Sequence, residues 1–211
     1  MKKKIAILGS TGSIGLTTLN IINQNKNFFQ IELLSTNKNI RKIRKQIRIF
    51  KVKNIIIHNQ KSFNQNKLFF KRLKINAYQN FKDFRKKNKK KLDYAMCAIT
   101  GLDGLESTLE IIQSTRRIAI ANKESIICGW NLISKELKKH KTNFIPIDSE
   151  HFSIFELIKN DNSKNIKKIY ITASGGPFLN TNKSKLSKFV PKNAIKHPTW
   201  KMGKKISVDS S

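Results

Sequence analysis

Acidic residues are scarce in this 211-residue chain: 13 Asp and Glu stand against 43 Lys and Arg, which gives a formal net charge of +30. Such an excess is typical of nucleic-acid-binding proteins. Here, however, the basic residues are mostly lysines spread along the chain, whereas base and phosphate recognition favours arginine. Lys, Asn, Ile and Phe all have codons rich in A and T, and base composition is the simplest explanation of the charge. We therefore expect no nucleic-acid partner, but a surface that attracts anions such as phosphorylated substrates.

Cysteines and long apolar runs are also few. Cys97 and Cys128 lack metal-ligand spacing and suit a reducing compartment. No run reaches the roughly 18 apolar residues that a membrane span requires. The basic start is followed by too short an apolar run for a signal peptide, so residues 4–8 are predicted to be a first strand. We expect a cytoplasmic protein that does not contact the membrane.

Apolar runs alternate with helical patterns over most of the chain. The predicted strands are residues 4–8, 31–34, 54–58, 92–99, 118–121 and 144–147, and the predicted helices are residues 14–23, 40–50, 105–114 and 125–140. Residues 60–91 are rich in Lys and Asn and give no clear pattern. This alternation predicts an α/β fold with a doubly wound, Rossmann-like parallel sheet.

The pattern changes after residue 147. A helix over 151–158 and strands over 168–172 and 205–208 are predicted, with polar segments between them. We therefore expect a first domain over residues 1–147 and, over residues 148–211, the beginning of an α+β catalytic domain.

A glycine-rich loop follows the first predicted strand. Gly9, Gly12 and Gly15 have the G-x-x-G-x-x-G spacing, a variant of the dinucleotide-binding fingerprint. Its glycines let the backbone approach a pyrophosphate, and the amides of the following helix point at it. At the end of strand two, residues 35–39 contain no carboxylate to bind a ribose 2′-hydroxyl, and Lys38 can pair with a 2′-phosphate. The sequence thus favours NADPH over NADH.

Two carboxylates, Asp148 and Glu150, follow the sixth predicted strand. On extended chain, residues two apart point to the same side, which would suit a divalent cation such as Mg²⁺ or Mn²⁺. Ser149 and His151 add hydrogen-bonding groups nearby. By itself the triplet is also compatible with a helix cap followed by an acid in the first turn.

Three other segments carry polar groups with chemical uses. Lys123 follows the fifth strand and would place a cation near a substrate, although Asn122 and Glu124 also suit a helix start. Residues 174–176 form a flexible Ser-Gly-Gly turn suited to phosphate or to a hinge. Residues 197–203 combine a histidine with a tryptophan.

Taken in order, five strings resemble 1-deoxy-D-xylulose 5-phosphate reductoisomerases. They are GSTGSIG (9–15), ANKES (121–125), DSEH (148–151), ASGGPF (173–178) and HPTWKMGKKISVDS (197–210). The resemblance implies an NADPH- and metal-dependent enzyme of isoprenoid biosynthesis. Its substrate's carbon skeleton rearranges and is then reduced by hydride, giving 2-C-methyl-D-erythritol 4-phosphate.

The resemblance also implies roles for individual residues and a partner. NADPH would be contacted by Thr11, Gly12, Ser13, Ile14, Lys38, Asn39, Asn122, Glu124 and Gly203. Asp148 and Glu150 would bind Mg²⁺, Mn²⁺ or Co²⁺ and, with Lys123, form the catalytic group. The phosphorylated sugar would be held by Lys123, Ser149, Ser174, His197, Ser210, Trp200 and Met202. Residues 178–203 would form a lid, and the full-length enzyme would be a homodimer.

The chain departs from the family in two respects. Asn37 stands where the family usually has a glycine, and because asparagine tolerates a left-handed backbone better than most residues, we expect the turn to be kept. The family also continues with an Asn, a Lys, a third metal-binding Glu and a helical domain, so we expect either a fragment or a shortened gene, with little activity alone. An inactive nucleotide-binding remnant, another NADPH oxidoreductase and a basic binding module remain alternatives.

Overall fold

The structure is a computed structural model that describes residues 1–147, 149–161, 165–171, 175–199 and 207–208, with the backbone alone for residue 149. The chain divides into two compact units, Met1–Lys159 and Asn160–Ser211. The first unit contains the sheet and is the larger of the two.

The first unit is built on a seven-stranded, all-parallel sheet in the order β4-β3-β2-β1-β5-β6-β7. The strands are β1 (Lys3–Leu8), β2 (Phe29–Thr36), β3 (Asn54–Ile57), β4 (Asn76–Tyr78), β5 (Leu92–Cys97), β6 (Thr115–Ile120) and β7 (Asn143–Ile145). The chain moves outward from β1 to β4, then returns to pair β5 with the other side of β1. The order therefore reverses between β1 and β5, where sheets of this kind bind their ligands.

Helices cover both faces of the sheet. They are α1 (Ser13–Gln24), α2 (Ile40–Phe50), α3 (Gln60–Arg72), α4 (Phe81–Lys87), α5 (Asp103–Ile112), α6 (Lys123–His140) and α7 (Ser149–Ile158). Side chains of α1–α3 pack in one buried cluster and those of α4–α6 in another. Successive residues of β1 alternate between the two, with Ile5 and Ile7 in the first and Ala6 and Leu8 in the second. This alternation confirms the predicted doubly wound fold.

The stretch 60–91, which gave no clear pattern in sequence, contains α3, β4 and α4. β4 has three residues and forms one edge of the sheet. An edge strand pairs with a single neighbour, so a short segment with few apolar residues can form it. β7 forms the other edge. It was predicted over residues 144–147; Asn143 is exposed and Phe144 and Ile145 are half-buried, because an edge strand is covered less completely.

Glu150, the second of the two carboxylates after β7, does not lie on extended chain as predicted. Ser149–Ile158 is the helix α7, and Glu150 occupies its first turn. The positive end of a helix dipole stabilises a carboxylate at that position, which explains why the acid is there. For Glu150 the predicted extended chain is therefore wrong and the alternative, an acid in a first helical turn, is confirmed; the predicted helix over 151–158 is confirmed and begins two residues earlier. Asp148 itself lies outside the described residues.

The second unit contains a 3-10 helix over Lys183–Lys188 and a short α8 (Pro191–Ala194). Residues 168–171 form no strand, contrary to the prediction, because no described segment of this unit pairs with them. Of the predicted strand 205–208, Ser207 and Val208 are helical, and the other two residues lie outside the described part. No helix among the described residues is both long enough and apolar enough to cross a membrane.

Three helices end on lysines with left-handed backbone. Lys51 caps α2 with φ 52°, Lys141 caps α6 with φ 52°, and Lys74 follows α3 with φ 56°. Glycine is the usual residue in such caps, because a Cβ makes the left-handed conformation unfavourable. All three lysines are exposed.

Candidate active site

The glycine-rich loop joins β1 to α1 in a tightly fixed conformation. Gly9 has φ +77°, and a Cβ there would lie 2.6 Å from the backbone oxygen of Ala98. A Cβ on Gly15 would lie 2.4 Å from the Gly9 oxygen, so the helix can approach the loop only without a side chain. A Cβ on Gly12 would have its nearest neighbour at 3.4 Å, which leaves room above the loop. The first and last glycines thus serve the fold, and the middle one borders open space.

α1 begins without a capping side chain. Gly12 is its N-cap residue, and the first turn contains no acidic residue. The first amides of a helix have no partners within the helix, so these N–H groups can bind an anion. The loop and the start of α1 together form a cradle suited to a phosphate group.

A cavity of about 520 Å³ lies at the carboxyl ends of β1, β2, β3 and β5. Its lining consists of Gly9, Thr11, Gly12, Ser35, Asn37, His58, Ala98, Ile99, Thr100, Asp103, Glu106 and Ser107. It lies on both sides of the point where the strand order reverses, which is the usual position of a dinucleotide in this fold.

The far side of this cavity carries an unusual histidine. Burial lowers the pKa of His58, and the nearby Glu106 carboxylate opposes this shift only in part. Its Nε2 is buried and has no hydrogen-bond partner among the described residues. Burial also raises the pKa of Glu110, with further help from the charge of Glu106. Burial thus favours the neutral form of His58, beside the acidic first turns of α5.

Asn122 connects the start of α6 to the loop after β5 through hydrogen bonds of its side chain. Its Oδ1 accepts a hydrogen bond from the Ser125 N–H at 3.0 Å, as predicted for the cap of α6. Its Nδ2 donates to the backbone oxygen of Ile99 at 2.7 Å and to that of Gly101. The cap of α6 therefore also fixes the loop after β5, which lines the cavity.

The predicted site residues fall into three groups. Thr11 and Gly12 line the cavity, Ser13 and Ile14 begin α1, and Asn39 caps α2 beside the exposed Lys38. Lys123 and Glu124 open α6, Glu150 lies in α7, and His197 in the second unit accepts a hydrogen bond from the Thr199 N–H at 3.1 Å. Asp148, Ser174, Trp200, Met202, Gly203, Ser210 and the side chain of Ser149 lie outside the described part of the chain.

The backbone at Asn37 and the grouping of metal-ligating side chains both bear on the predicted site. Asn37 is not among the residues with positive φ, so the turn at this position does not use the tolerance of asparagine for left-handed backbone. For the metal, no group of three or more His, Cys, Asp or Glu side chains comes together within the described residues, a set that excludes Asp148.

Sequence reasoning did not single out His58, Asp103, Glu106 or Ser107. His58 is the first residue after β3, and the others lie in the first turns of α5. The rule that ligands bind beyond the carboxyl ends of strands would have identified the histidine, since the third strand was predicted. The acids on α5 gave no such indication, because a helix start often carries acids for its dipole alone.

Two family models match nearly the whole chain. The model of 1-deoxy-D-xylulose 5-phosphate reductoisomerase matches residues 5–129, and the model of that enzyme's C-terminal domain matches residues 144–211. The curated 1-deoxy-D-xylulose 5-phosphate reductoisomerase of Pelagibacter ubique is 54% identical over 99% of this chain and 54% of its own length. The one from the Wolbachia of Culex pipiens is 40% identical over the same shares. The chain thus spans about half the length of the curated relatives it matches.

Solved structures give the same result. The Zymomonas mobilis reductoisomerase in complex with NADPH superposes with a TM-score of 0.86 at 31% identity, over 100% of this chain and 54% of that one. A reductoisomerase in complex with NADPH, fosmidomycin and magnesium gives 0.80 at 34% identity, over 99% and 54%. Sequence and fold agree, and the chain belongs to the 1-deoxy-D-xylulose 5-phosphate reductoisomerase family.

Proposed function

We propose that this chain binds NADPH and a divalent cation and belongs to an enzyme that converts 1-deoxy-D-xylulose 5-phosphate to 2-C-methyl-D-erythritol 4-phosphate. The observation that carries the proposal is the cavity at the reversal of strand order, bordered by a glycine-rich loop and an uncapped helix start. Relatives of the same family have been crystallised with NADPH and with magnesium.

The residues around the cavity suit a phosphorylated dinucleotide. Gly12 leaves room above the loop, and the free amides of α1 favour a pyrophosphate. The end of β2 offers hydroxyls and an amide but no carboxylate, and Lys38 follows at once. The proposed NADPH contacts are Thr11, Gly12, Ser13, Ile14, Lys38, Asn39, Asn122, Glu124 and Gly203.

The described residues include one side chain whose chemistry suits the metal, that of Glu150. Glu150 presents a carboxylate oxygen on an exposed turn, and hard cations such as Mg²⁺ and Mn²⁺ prefer oxygen ligands. We propose Asp148 and Glu150 as ligands. When bound, NADPH supplies hydride and the metal polarises the substrate's oxygens.

Lys123 is the proposed positively charged group beside those oxygens. It is the first residue of α6, and the Asn122 cap fixes where that helix begins. A positive charge beside those oxygens stabilises the negative charge that develops on them. Ser149, Ser174, His197, Ser210, Trp200 and Met202 are proposed to hold the phosphorylated sugar, with residues 178–203 as a lid and 1–147 and 148–211 as domains. A homodimer is part of the same proposal for the full-length enzyme.

Cofactor binding is tested by titrating the 211-residue chain with NADPH and following the nicotinamide fluorescence. We expect saturable binding that is tighter for NADPH than for NADH. In Lys38→Glu the preference should be lost or inverted, because the substitution places a carboxylate where a phosphate would sit. Equal affinities for both nucleotides in the unaltered chain would count against the proposed cofactor.

Turnover is tested by following NADPH oxidation with 1-deoxy-D-xylulose 5-phosphate and Mn²⁺. The comparison protein is a chimera in which this chain is extended by the part of the Pelagibacter ubique enzyme that follows the aligned segment. We expect turnover by the chimera, near-background turnover by the chain alone, and loss of the chimera's turnover in Glu150→Gln. A chimera that binds NADPH but does not turn over would reduce the function to nucleotide binding.

A further inference from the structure

Lys42, in the first turn of α2, reaches the glycine-rich loop. Its Nζ donates a hydrogen bond to the backbone oxygen of Thr11 at 3.3 Å. Its own N–H is held by the Asn39 side chain at 3.0 Å, so the backbone from which it extends is fixed. Its partner is a neutral carbonyl, and it forms no ion pair within the described residues. An ammonium group has three donors, and two of them are left to face the solvent side.

α2 and the loop are held in register by a second contact. Gln46, one turn further along the same face, accepts a hydrogen bond from the Ser10 hydroxyl at 2.7 Å and donates to the Ser10 backbone oxygen at 2.9 Å. Both groups are buried. Because Gln46 binds the loop residue next to Thr11, the backbone from which Lys42 extends has a fixed position relative to Thr11.

This ammonium group lies beside the end of β2. The hydroxyl oxygens of Thr11 and Thr36 are 3.0 Å apart, and Thr11 lines the cavity. Residues 35–39 offer no carboxylate, and neither does the first turn of α2. The local potential is therefore positive, which attracts a phosphate but has little effect on a neutral hydroxyl.

We propose that Lys42 binds the 2′-phosphate of NADPH, and that it, together with Lys38, sets the preference for NADPH over NADH. The inference deepens the proposed function and rests on it. Both lysines are exposed, but the Lys42 ammonium already donates a hydrogen bond to the Thr11 carbonyl, whereas the Lys38 ammonium has no such contact within the described residues. A charge that is already positioned loses less side-chain entropy on binding, so Lys42 should contribute at least as much as Lys38.

The test measures calorimetric affinities of the chain for 2′,5′-ADP and 5′-AMP, which differ only in the 2′-phosphate. In Lys42→Gln we expect about tenfold weaker binding of 2′,5′-ADP, as for loss of one charge-assisted hydrogen bond, and unchanged binding of 5′-AMP. Lys45→Gln is the matched control, because it removes the same charge from an exposed position of the same helix. It should change neither affinity by more than about twofold.

Each other outcome is decisive. Equal weakening for both nucleotides in Lys42→Gln would mean that Lys42 only holds the loop, and would overturn the inference. The inference would also be overturned if Lys42→Gln left the ratio of the affinities for 2′,5′-ADP and 5′-AMP unchanged, or if Lys45→Gln weakened the binding of 2′,5′-ADP equally. If the unaltered chain bound 2′,5′-ADP no better than 5′-AMP, the proposed binding of NADPH would itself be contradicted. If Lys42→Gln kept the full preference for NADPH over NADH, the proposed role of Lys42 would be wrong while the proposed function would stand.

Discussion

At the scale of single residues, the three glycines of the loop have different tasks. Gly15→Ala places a methyl group 2.4 Å from the Gly9 oxygen, and we expect it to lower the free energy of unfolding by about 2 kcal/mol. Gly12→Ala has room, and its φ of −82° suits alanine, so stability should be nearly unchanged while NADPH binding weakens. Urea unfolding and nucleotide titration of both variants check this. Equal stabilities would show that helix and loop can separate easily.

His58 predicts a dependence of stability on pH. Its folded-state pKa lies below the ordinary value of 6.5, so the unfolded chain binds its proton more readily. The contribution of neutral His58 to the free energy of unfolding is complete above pH 6.5. It is lost as the pH falls from 6.5 through the lowered pKa of the folded state. We expect thermal melts between pH 7.5 and about 5 to fall less steeply in His58→Asn than in the unaltered chain. Parallel curves would contradict the prediction.

Residue-level chemistry was predicted with uneven success. The cap formed by Asn122 was predicted because Asn before a helix pattern has a local partner two or three residues on. The second task of Asn122, bridging Ile99 and Gly101, connects segments more than twenty residues apart and has no local pattern. His58 shows the same limit, since its lowered pKa arises from burial by distant segments.

At the scale of elements, Asn122 connects α6 to the loop after β5. Asn122→Ala removes the cap and leaves two backbone oxygens without their donor, and we expect about 2 kcal/mol of destabilisation. Asn122→Ser is the matched control, because a serine hydroxyl can still cap the helix but cannot reach both oxygens. It should lose about half as much, measured by chemical unfolding. Identical losses in the two variants would show that the cap contributes nothing.

Elements with a strong internal pattern were predicted well, and short or edge elements were not. α2 repeats its isoleucines at helical spacing and was recognised from them. β4 owes its existence to pairing with β3, so three residues suffice and the sequence shows little. Residues 168–171 show the reverse case, an apolar pattern that forms no strand among the described residues. Strand formation depends on a partner, which a local pattern does not contain.

At the scale of the whole molecule, the net charge of +30 sets the response to salt. Like charges repel one another more in the compact state than in the expanded one, and salt screens this repulsion. We expect the melting temperature to rise by several degrees between about 20 and 300 mM NaCl. Circular dichroism melts check this, with a glutamate-for-lysine variant at several exposed positions as the control that should respond less. A falling melting temperature would mean that ion pairs outweigh the repulsion.

The left-handed lysines at the ends of α2, α3 and α6 have a practical consequence. Each holds a conformation that glycine adopts without strain, so Lys51→Gly, Lys74→Gly and Lys141→Gly should each recover about 0.5–1 kcal/mol. The three positions are exposed and none lines the cavity, so these substitutions leave the lining of the candidate nucleotide site unaltered. A triple variant would therefore serve as a host in which damaging changes to the glycine-rich loop can be studied while the protein stays folded.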